Sequence, residues 1–482
     1  MAIQRRDFLK CTGVGLAGGC LPDSTALHAA QSSPSTRSGE ASLVDTVAVS
    51  HTTEMCAPQL PPENEISRRY LRILQKWIPV GVEYFAEWPD RPNCGHFFGG
   101  AHWYGNETNG PAEAFAIASL SPEYDEAATG VSRAALRQMA VKAIRYLGFT
   151  HDTGPKECVR PAVGLGRKEN CGTKWGERGK GFFKESQCGL GVASLGRMAL
   201  LLRDQMDDET WMMVARIHAD YAQRFGGTVP GSGVYRNTQM EENGWTAAGL
   251  ASCSLFLSRH SKAAQWEAAS RRWMFSTCAA PQDIGNAARI GRTTVAALAG
   301  QIFTTLPDYW AENHGMVHPS YAGIGVLTLT IIGCHLRLWG RDLPPELSWN
   351  RQRIYENFKS LADSAGYCQA VQGMDWHYLP TVGSDDLHAS GAHGTAAVFF
   401  QDPDAAALER LSLRNTELRQ QGNGGRLYDK AFAEKAHDVQ DPMLMNEITI
   451  RAVARLYLLH RLFGPGPAPA IHPPPFRLPF PH

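Results

Sequence analysis

Apolar residues recur at i, i+3, i+4 and i+7 in eleven stretches of the chain. These are 65–78, 132–147, 189–204, 208–224, 245–258, 262–275, 288–305, 322–339, 349–366, 404–420 and 444–462. That spacing puts one apolar stripe on each α-helix, so the pattern predicts a helical protein. Asp207-Asp208-Glu209 and Ser132 stand where helix starts are expected, since they cap free N–H groups and suit the positive end of the helix dipole. Strand alternation is almost missing. The β-branched run Val326–Ile332 has the length and flanks of a buried helix.

The connections alternate in length. Long, Gly/Pro/aromatic-rich stretches at 88–112, 151–187, 226–243, 306–321 and 367–402 separate helices otherwise joined more tightly. Helix pairs linked in this way predict an all-α fold, an α/α toroid (an incomplete or full α/α barrel) whose long loops gather at one end. No repeat of fixed period and consensus points to a helical solenoid. The expected organisation is a signal segment over 1–30, a Ser/Thr/Pro-rich linker over 31–62, one toroid domain over 63–463 and a Pro-rich tail over 464–482. A length of 482 residues suits two or three domains or one large toroid.

The N-terminus reads Arg5-Arg6-Asp7-Phe8-Leu9-Lys10 followed by the short, Gly-rich, weakly apolar run Cys11–Leu21. This resembles a twin-arginine signal, which directs export of folded proteins to the periplasm or beyond. Cys20 is a possible, not favoured, lipidation site. No later stretch has 18 consecutive apolar residues, so no transmembrane segment is expected. Acidic and basic residues balance at 47 each, which offers no field for nucleic acid. Export permits disulfides, and Cys158 with Cys171 is the first pair to consider. No CxxC pair suggests a cysteine zinc site.

Candidate chemistry clusters in four loops. Glu312-Asn313-His314-Gly315-Met316-Val317-His318-Pro319-Ser320-Tyr321, read as a helix–loop–helix junction, holds a carboxylate, a carboxamide, two imidazoles and a phenol. Singly these suit packing or loop hydrogen bonds; together they suit proton transfer on a polar substrate. Asn237-Thr238-Gln239-Met240-Glu241-Glu242-Asn243-Gly244-Trp245 places a carboxylate pair before a helix, which is either a cap or a second part of the same cleft. Asp375 and Trp376 on a Gly-rich turn look like a sugar subsite, and His102 and Trp103 like a cleft wall, because aromatic faces suit sugar rings. Asp385, Asp386, His388 and His393 form a possible metal group within a loop that is equally well simply solvated. No other cofactor is expected.

The Asn-Thr-x-x-Glu-Glu-Asn-Gly-Trp run, the Glu-Asn-His-Gly segment ending in His-Pro-Ser-Tyr, and Gly373-x-Asp375-Trp376 together resemble secreted α-toroid polysaccharide lyases of the heparinase and alginate lyase kind. The resemblance covers most of 60–463 in pattern and about 25 residues in motif. It implies a single catalytic domain acting on an acidic polysaccharide by β-elimination. His314 and Tyr321 would carry the proton transfers, while Asn313 and Glu242 neutralise the substrate carboxylate. Asn243, Trp245, Asp375, Trp376, His102, Trp103 and Arg292 (or Arg236 as the cation) would bind substrate. A glycoside hydrolase on the same scaffold would instead set Glu241 or Glu242 opposite Asp375 or Asp386. A non-catalytic carbohydrate-binding protein would keep the aromatics alone. A metal-dependent oxidoreductase using His314 and His318 is disfavoured, because Pro319 pushes His318 out of helical geometry. Oligomeric state is open.

Overall fold

The computed structural model describes residues 59–98, 106–161, 172–176, 185–233, 238–313, 315–317, 319–364, 366, 368, 387–428 and 442–471, with backbone alone for 106, 316, 387–390 and 442–448. The signal and the linker up to residue 58 therefore lie outside the described residues, as do Arg236, His102, Trp103, Asp375, Trp376, His314 and His318.

Four of the helices that show one apolar face to a neighbour and one polar face to water begin at a side-chain cap, supplied by Asn64, Ser132, Asp207 and Asp402. In α1 (Glu65–Glu83), Asn64 accepts from the Ser67 N–H at 2.9 Å while the Ser67 hydroxyl accepts from the Asn64 N–H at 2.9 Å. This reciprocal cap satisfies two otherwise orphaned donors. Ser132 caps α3 (Arg133–Thr150) and Asp207 caps α5 (Asp208–Phe225). The remaining outward helices are α7 (Ala263–Ser276), α9 (Arg351–Lys359) and α11 (Pro403–Gln420).

Between them in sequence come α2 (Asn106–Ser119), α4 (Gly189–Leu201), α6 (Met240–Phe256), α8 (Pro319–Leu338), α10 (Leu387–Phe399) and α12 (Pro442–Phe463). These six pack in a closed ring, α2–α4–α6–α8–α10–α12 and back to α2, while the odd-numbered helices back them from outside. The protein is an all-α toroid, and the ring is complete. Neighbouring inner helices run in the same direction: Met240 packs on Gly325 and Gly244 on Thr328, one helical turn further along both α6 and α8. The approach is close at Gly249, where a Cβ would lie 2.5 Å from the Gly189 Cα. Inner helices consequently all start at one end, and every long connection leads into one of those starts.

Charge pairs tie the ring together. Glu113 of α2 is fully buried, and its carboxylate accepts from Ser194 at 2.6 Å, from Arg197 of α4 at 2.7 Å and from Arg455 of α12 at 2.9 Å. At the seam, Glu409 of α11 accepts from Tyr70 of α1 at 2.8 Å and pairs with His460 of α12 at 2.7 Å. The first helix is thereby fastened to the last two. Beyond α12, Ala470 N–H donates to the Pro403 carbonyl at 2.9 Å, so the start of the Pro-rich tail lies against α11.

Several sequence expectations change. Residues 288–305 are not one helix: Gly291 (φ +54°) and Gly300 (φ +57°) break the run into a hairpin, β3 (Arg289–Ile290) with β4 (Thr293–Thr294), and a five-residue helix. Residues 106–112 and 387–399, read as loop, belong to inner helices α2 and α10. Surrounded by other helices and rich in Ala and Gly, they carry no amphipathic stripe to detect. The 312–321 segment is a hairpin leading into a helix, with β5 (Glu312–Asn313) paired to β6 (Met316–Val317) around Gly315 at φ +87°. Pro319 then opens α8 at the first helical position, where its missing N–H is harmless. A further short pair joins β1 (Phe85–Glu87) and β2 (Gly95–Phe97). Helix α8 is long and apolar enough to cross a membrane by composition, but 94% of its apolar window is buried inside the ring. Cys158 is a buried thiol, and Cys171 lies outside the described residues.

Candidate functional site

The starts of α6 and α8 meet at the long-loop end. Glu241 and Glu242 occupy the first turn of α6, both half-buried, and Tyr321 is the third residue of α8, 8% exposed. The Tyr321 hydroxyl donates to the Glu241 carboxyl across the helix interface. A helix N-terminus favours a charged carboxylate, yet here the opposite outcome prevails. Burial, then the neighbouring Glu242 charge, raise the Glu241 pKa well above the usual carboxylate range, and the Tyr321 hydrogen bond only partly offsets them. The Glu241 carboxyl is therefore harder to ionise than an ordinary carboxylate at a helix start.

Beside it, the β5–β6 hairpin rests on the cluster of Trp310, Val317 and Leu361. Glu312 Oε1 accepts from the Gly315 N–H at 2.5 Å and so closes the turn. Asn313 is 3% exposed, and its backbone pairs with Met316. The hairpin fixes the chain on both sides of position 314.

Deeper on the axis, α6 and α8 line a cavity of about 30 Å³ with α4 and α12. Trp245 lies four residues after Glu241 and Ile324 three residues after Tyr321, so each shares a helix face with the pair above. Four helical residues rise about 6 Å. Arg451 and Arg455, four apart on α12, complete the lining together with Leu327, Thr330 and Ile331. Burial, with the repulsion of Arg197 and Arg451, lowers the Arg455 pKa to about 10 against the pull of Glu113.

Other expected site residues sit elsewhere. Asn243 does not face the cleft: its carboxamide accepts from the Gly231 N–H at 3.0 Å and donates to the carbonyls of Gly231 at 2.9 Å and Ser276 at 3.2 Å. It anchors the preceding loop to α7 and so aims the first turn of α6. Arg292 is exposed at the tip of the β3–β4 hairpin, where adjacent Gly291 faces Glu346 and Pro345 rather than Glu241 or Tyr321. His393 turns into the core, with Nδ1 at 2.9 Å from the Tyr355 hydroxyl and Nε2 at 3.7 Å from Cys368 Sγ. Burial holds its pKa at about 4. Asp385 and Asp386 lie outside the described residues, as does the side chain of His388. Among the described residues no three His, Cys, Asp or Glu side chains converge as a metal group.

Sequence reasoning missed Arg451 and Arg455 and gave Glu241 only to the hydrolase alternative. The available signal was a pair of arginines four apart within the apolar stretch Ala452, Val453, Ala454 and Leu456.

No family model and no curated protein matches the chain. Among solved structures, it is similar to a Streptomyces coelicolor A3 chondroitin AC lyase in complex with chondroitin sulphate, with a TM-score of 0.42 and 12% identity, covering 91% of this chain and 50% of that one. It thus spans half the length of that lyase. It is also similar to a wild-type glycosidase, with a TM-score of 0.41 and 11% identity, covering 84% of this chain and all of the other.

Proposed function

We propose that this protein is an exported carbohydrate-active enzyme that cleaves a uronate-containing glycan by β-elimination. The observation that carries the reading is the Tyr321 hydroxyl held on a Glu241 carboxyl that burial and Glu242 keep protonated. Elimination requires removal of the C5 proton, formation of the C4=C5 bond and departure of the C4 oxygen with a proton. C5–H becomes acidic enough only when the neighbouring carboxylate is neutralised. A protonated Glu241 donates to that carboxylate and holds the enolate charge that develops on it. Asn313, on the adjoining hairpin, adds a carboxamide donor. Tyr321, with His314, exchanges the protons at C5 and O4. In this assignment Glu242 is the charge that keeps Glu241 protonated, not itself the group facing substrate.

A second reading, a glycoside hydrolase, draws on the same observation, because a raised-pKa Glu also suits a general acid. It needs a second carboxylate across the bond, roughly 5–9.5 Å away. Glu242 is adjacent on the same turn, and Asp375 and Asp386 lie outside the described residues. Incubation with a panel of uronate glycans separates the two readings. Ultraviolet-absorbing unsaturated products are expected; cleavage without that absorbance would establish hydrolysis instead.

A further inference from the structure

Helices α1 and α11 lie side by side on the outer wall and run in the same direction. Arg410 bonds Glu65 at 2.8 Å, Arg69 grips Glu417 through two bonds of 2.9 Å, and Gln420 donates to the Ile73 carbonyl at 3.1 Å. The other carboxylates of the two helices are engaged as well: Glu83 holds Arg426, Glu409 holds His460 and Asp404 holds Lys359. Three cations are left over. Arg72, Lys76 and Arg414 are exposed and make no hydrogen bond or ion pair among the described residues. Arg72 acts only at a distance on Glu63, which Arg68 and Arg461 flank at 3.6 and 3.8 Å.

Arg72 and Lys76 follow Arg69 by one and two helical turns, so they stand on the face of α1 that Arg69 turns toward α11. Arg414 precedes Glu417 by one turn and stands on the answering face. The three cations line one open pocket of about 270 Å³ with Ile73, Leu418 and Gln421, and the Glu417 carboxylate beside them is already taken by Arg69. Leu418 is 56% exposed and adds an apolar surface, while Gln421 adds an amide. Cations for a charged substituent, an amide for hydroxyls and an aliphatic side chain for a C–H face are what an acidic sugar ring requires. The volume lies just under the usual range of small-ligand pockets, about 300–1,000 Å³, and suits a single ring. Because α11 packs on α10 and α1 on α12, the pocket opens outward, apart from Glu241 and Tyr321 on α6 and α8.

We propose that the groove between α1 and α11 is a second, non-catalytic glycan site. It takes one uronate- or sulfate-bearing sugar of a polymer, another stretch of which is cut at the ring's mouth. The cutting rests on the lyase reading; the affinity of the groove for acidic sugars does not. An anchored chain presents its remaining sugars to the mouth at high effective concentration, so the groove favours long substrates over short ones.

Interferometry on immobilised polygalacturonate, chondroitin sulphate and neutral dextran tests the site in the folded full chain, with Tyr321→Phe present to keep the polymers intact. Either acidic polymer should bind and dextran should not; binding to neither acidic polymer overturns the proposal. Arg72→Gln, Lys76→Gln and Arg414→Gln together remove charges that hold no partner, so the melting temperature should not move. The Kd for acidic polymer should rise about tenfold, the scale of three exposed charge contacts. An unchanged Kd overturns the proposal. Arg72→Lys with Arg414→Lys keeps the charges and should keep most of the affinity. With Tyr321 restored, the triple variant should show a raised KM on polymer and unaltered kinetics on a short oligosaccharide; equal losses on both overturn the proposal. Charge-dependent binding in a protein that yields no unsaturated product refutes the lyase reading and leaves the groove standing. Unsaturated product with binding indifferent to the three charges refutes the groove and leaves the lyase reading standing.

Discussion

Tyr321 and Glu241 are joined by a hydrogen bond that crosses from the first turn of α8 to the first turn of α6. Neither residue is near the other in sequence, and each sits at a helix start that a long connection feeds. In the proposed reaction this phenol and this raised-pKa carboxyl act on the same substrate.

Replacing Tyr321 by Phe keeps the ring and removes the hydroxyl. Turnover on an active glycan should fall by about 10²–10⁴-fold, the usual contribution of a positioned acid or base. The urea unfolding midpoint should stay near that of the parent. Normal turnover in this variant would sink the proposed mechanism.

The pH profile follows from Glu241. Its folded pKa is raised, so the protonated form that the proposed reaction requires persists above the usual carboxylate range and is lost as pH rises through that pKa. kcat/KM should therefore decline on the alkaline side. Glu241→Gln stays neutral at every pH and should remove that limb. Glu242→Gln removes one cause of the shift and should move the limb to lower pH. Unchanged profiles in both variants would exclude Glu241 from the reaction.

Glu113 lies between Arg197 and Arg455 with no exposure to water. Glu113→Leu strands two buried cations and should cost about 3–5 kcal/mol of stability, read by equilibrium denaturation. A loss below the error of that measurement would mean the pair is dispensable to the ring.

Acid sensitivity should begin near pH 6.5. Burial lowers the pKa of His96, His218 and His393 to about 4 each. Between 6.5 and 4 the unfolded chain binds protons that the folded chain refuses, so stability falls as pH drops through this window. Melting temperature measured across it should decrease steadily. A flat profile would show that the three imidazoles are not buried neutral.

Export is proposed to depend on Arg5 and Arg6. Changing both to Lys should leave the precursor inside the cell, as fractionation and blotting would show. Unaltered export would replace the twin-arginine assignment with another route.

Outer helices were legible because each has water on one side. Asn64, Ser132 and Asp207 announce their starts, and Ile66, Tyr70, Ile73 and Trp77 trace the buried stripe of α1. The alternation of short and long connections was also in the sequence, and with it the toroid. The enclosed helices α4, α6, α8 and α12 still carried enough large apolar residues to be read, whereas α2 and α10 were hidden because Ala, Gly and small polar residues fill most of their positions and leave no periodic stripe. The types of residue at the candidate site, a Glu pair and a Tyr beside an Asn, were visible as well. Their division of labour was not. Which Glu holds a proton depends on burial and on a phenol eighty positions away, Asn243 is committed to a backbone loop, and Arg451 and Arg455 reach the axis only once α12 closes the ring. Local pattern records what one helix asks of its surroundings; the charge state of a side chain depends on what other helices bring to it, and that is decided by the tertiary fold.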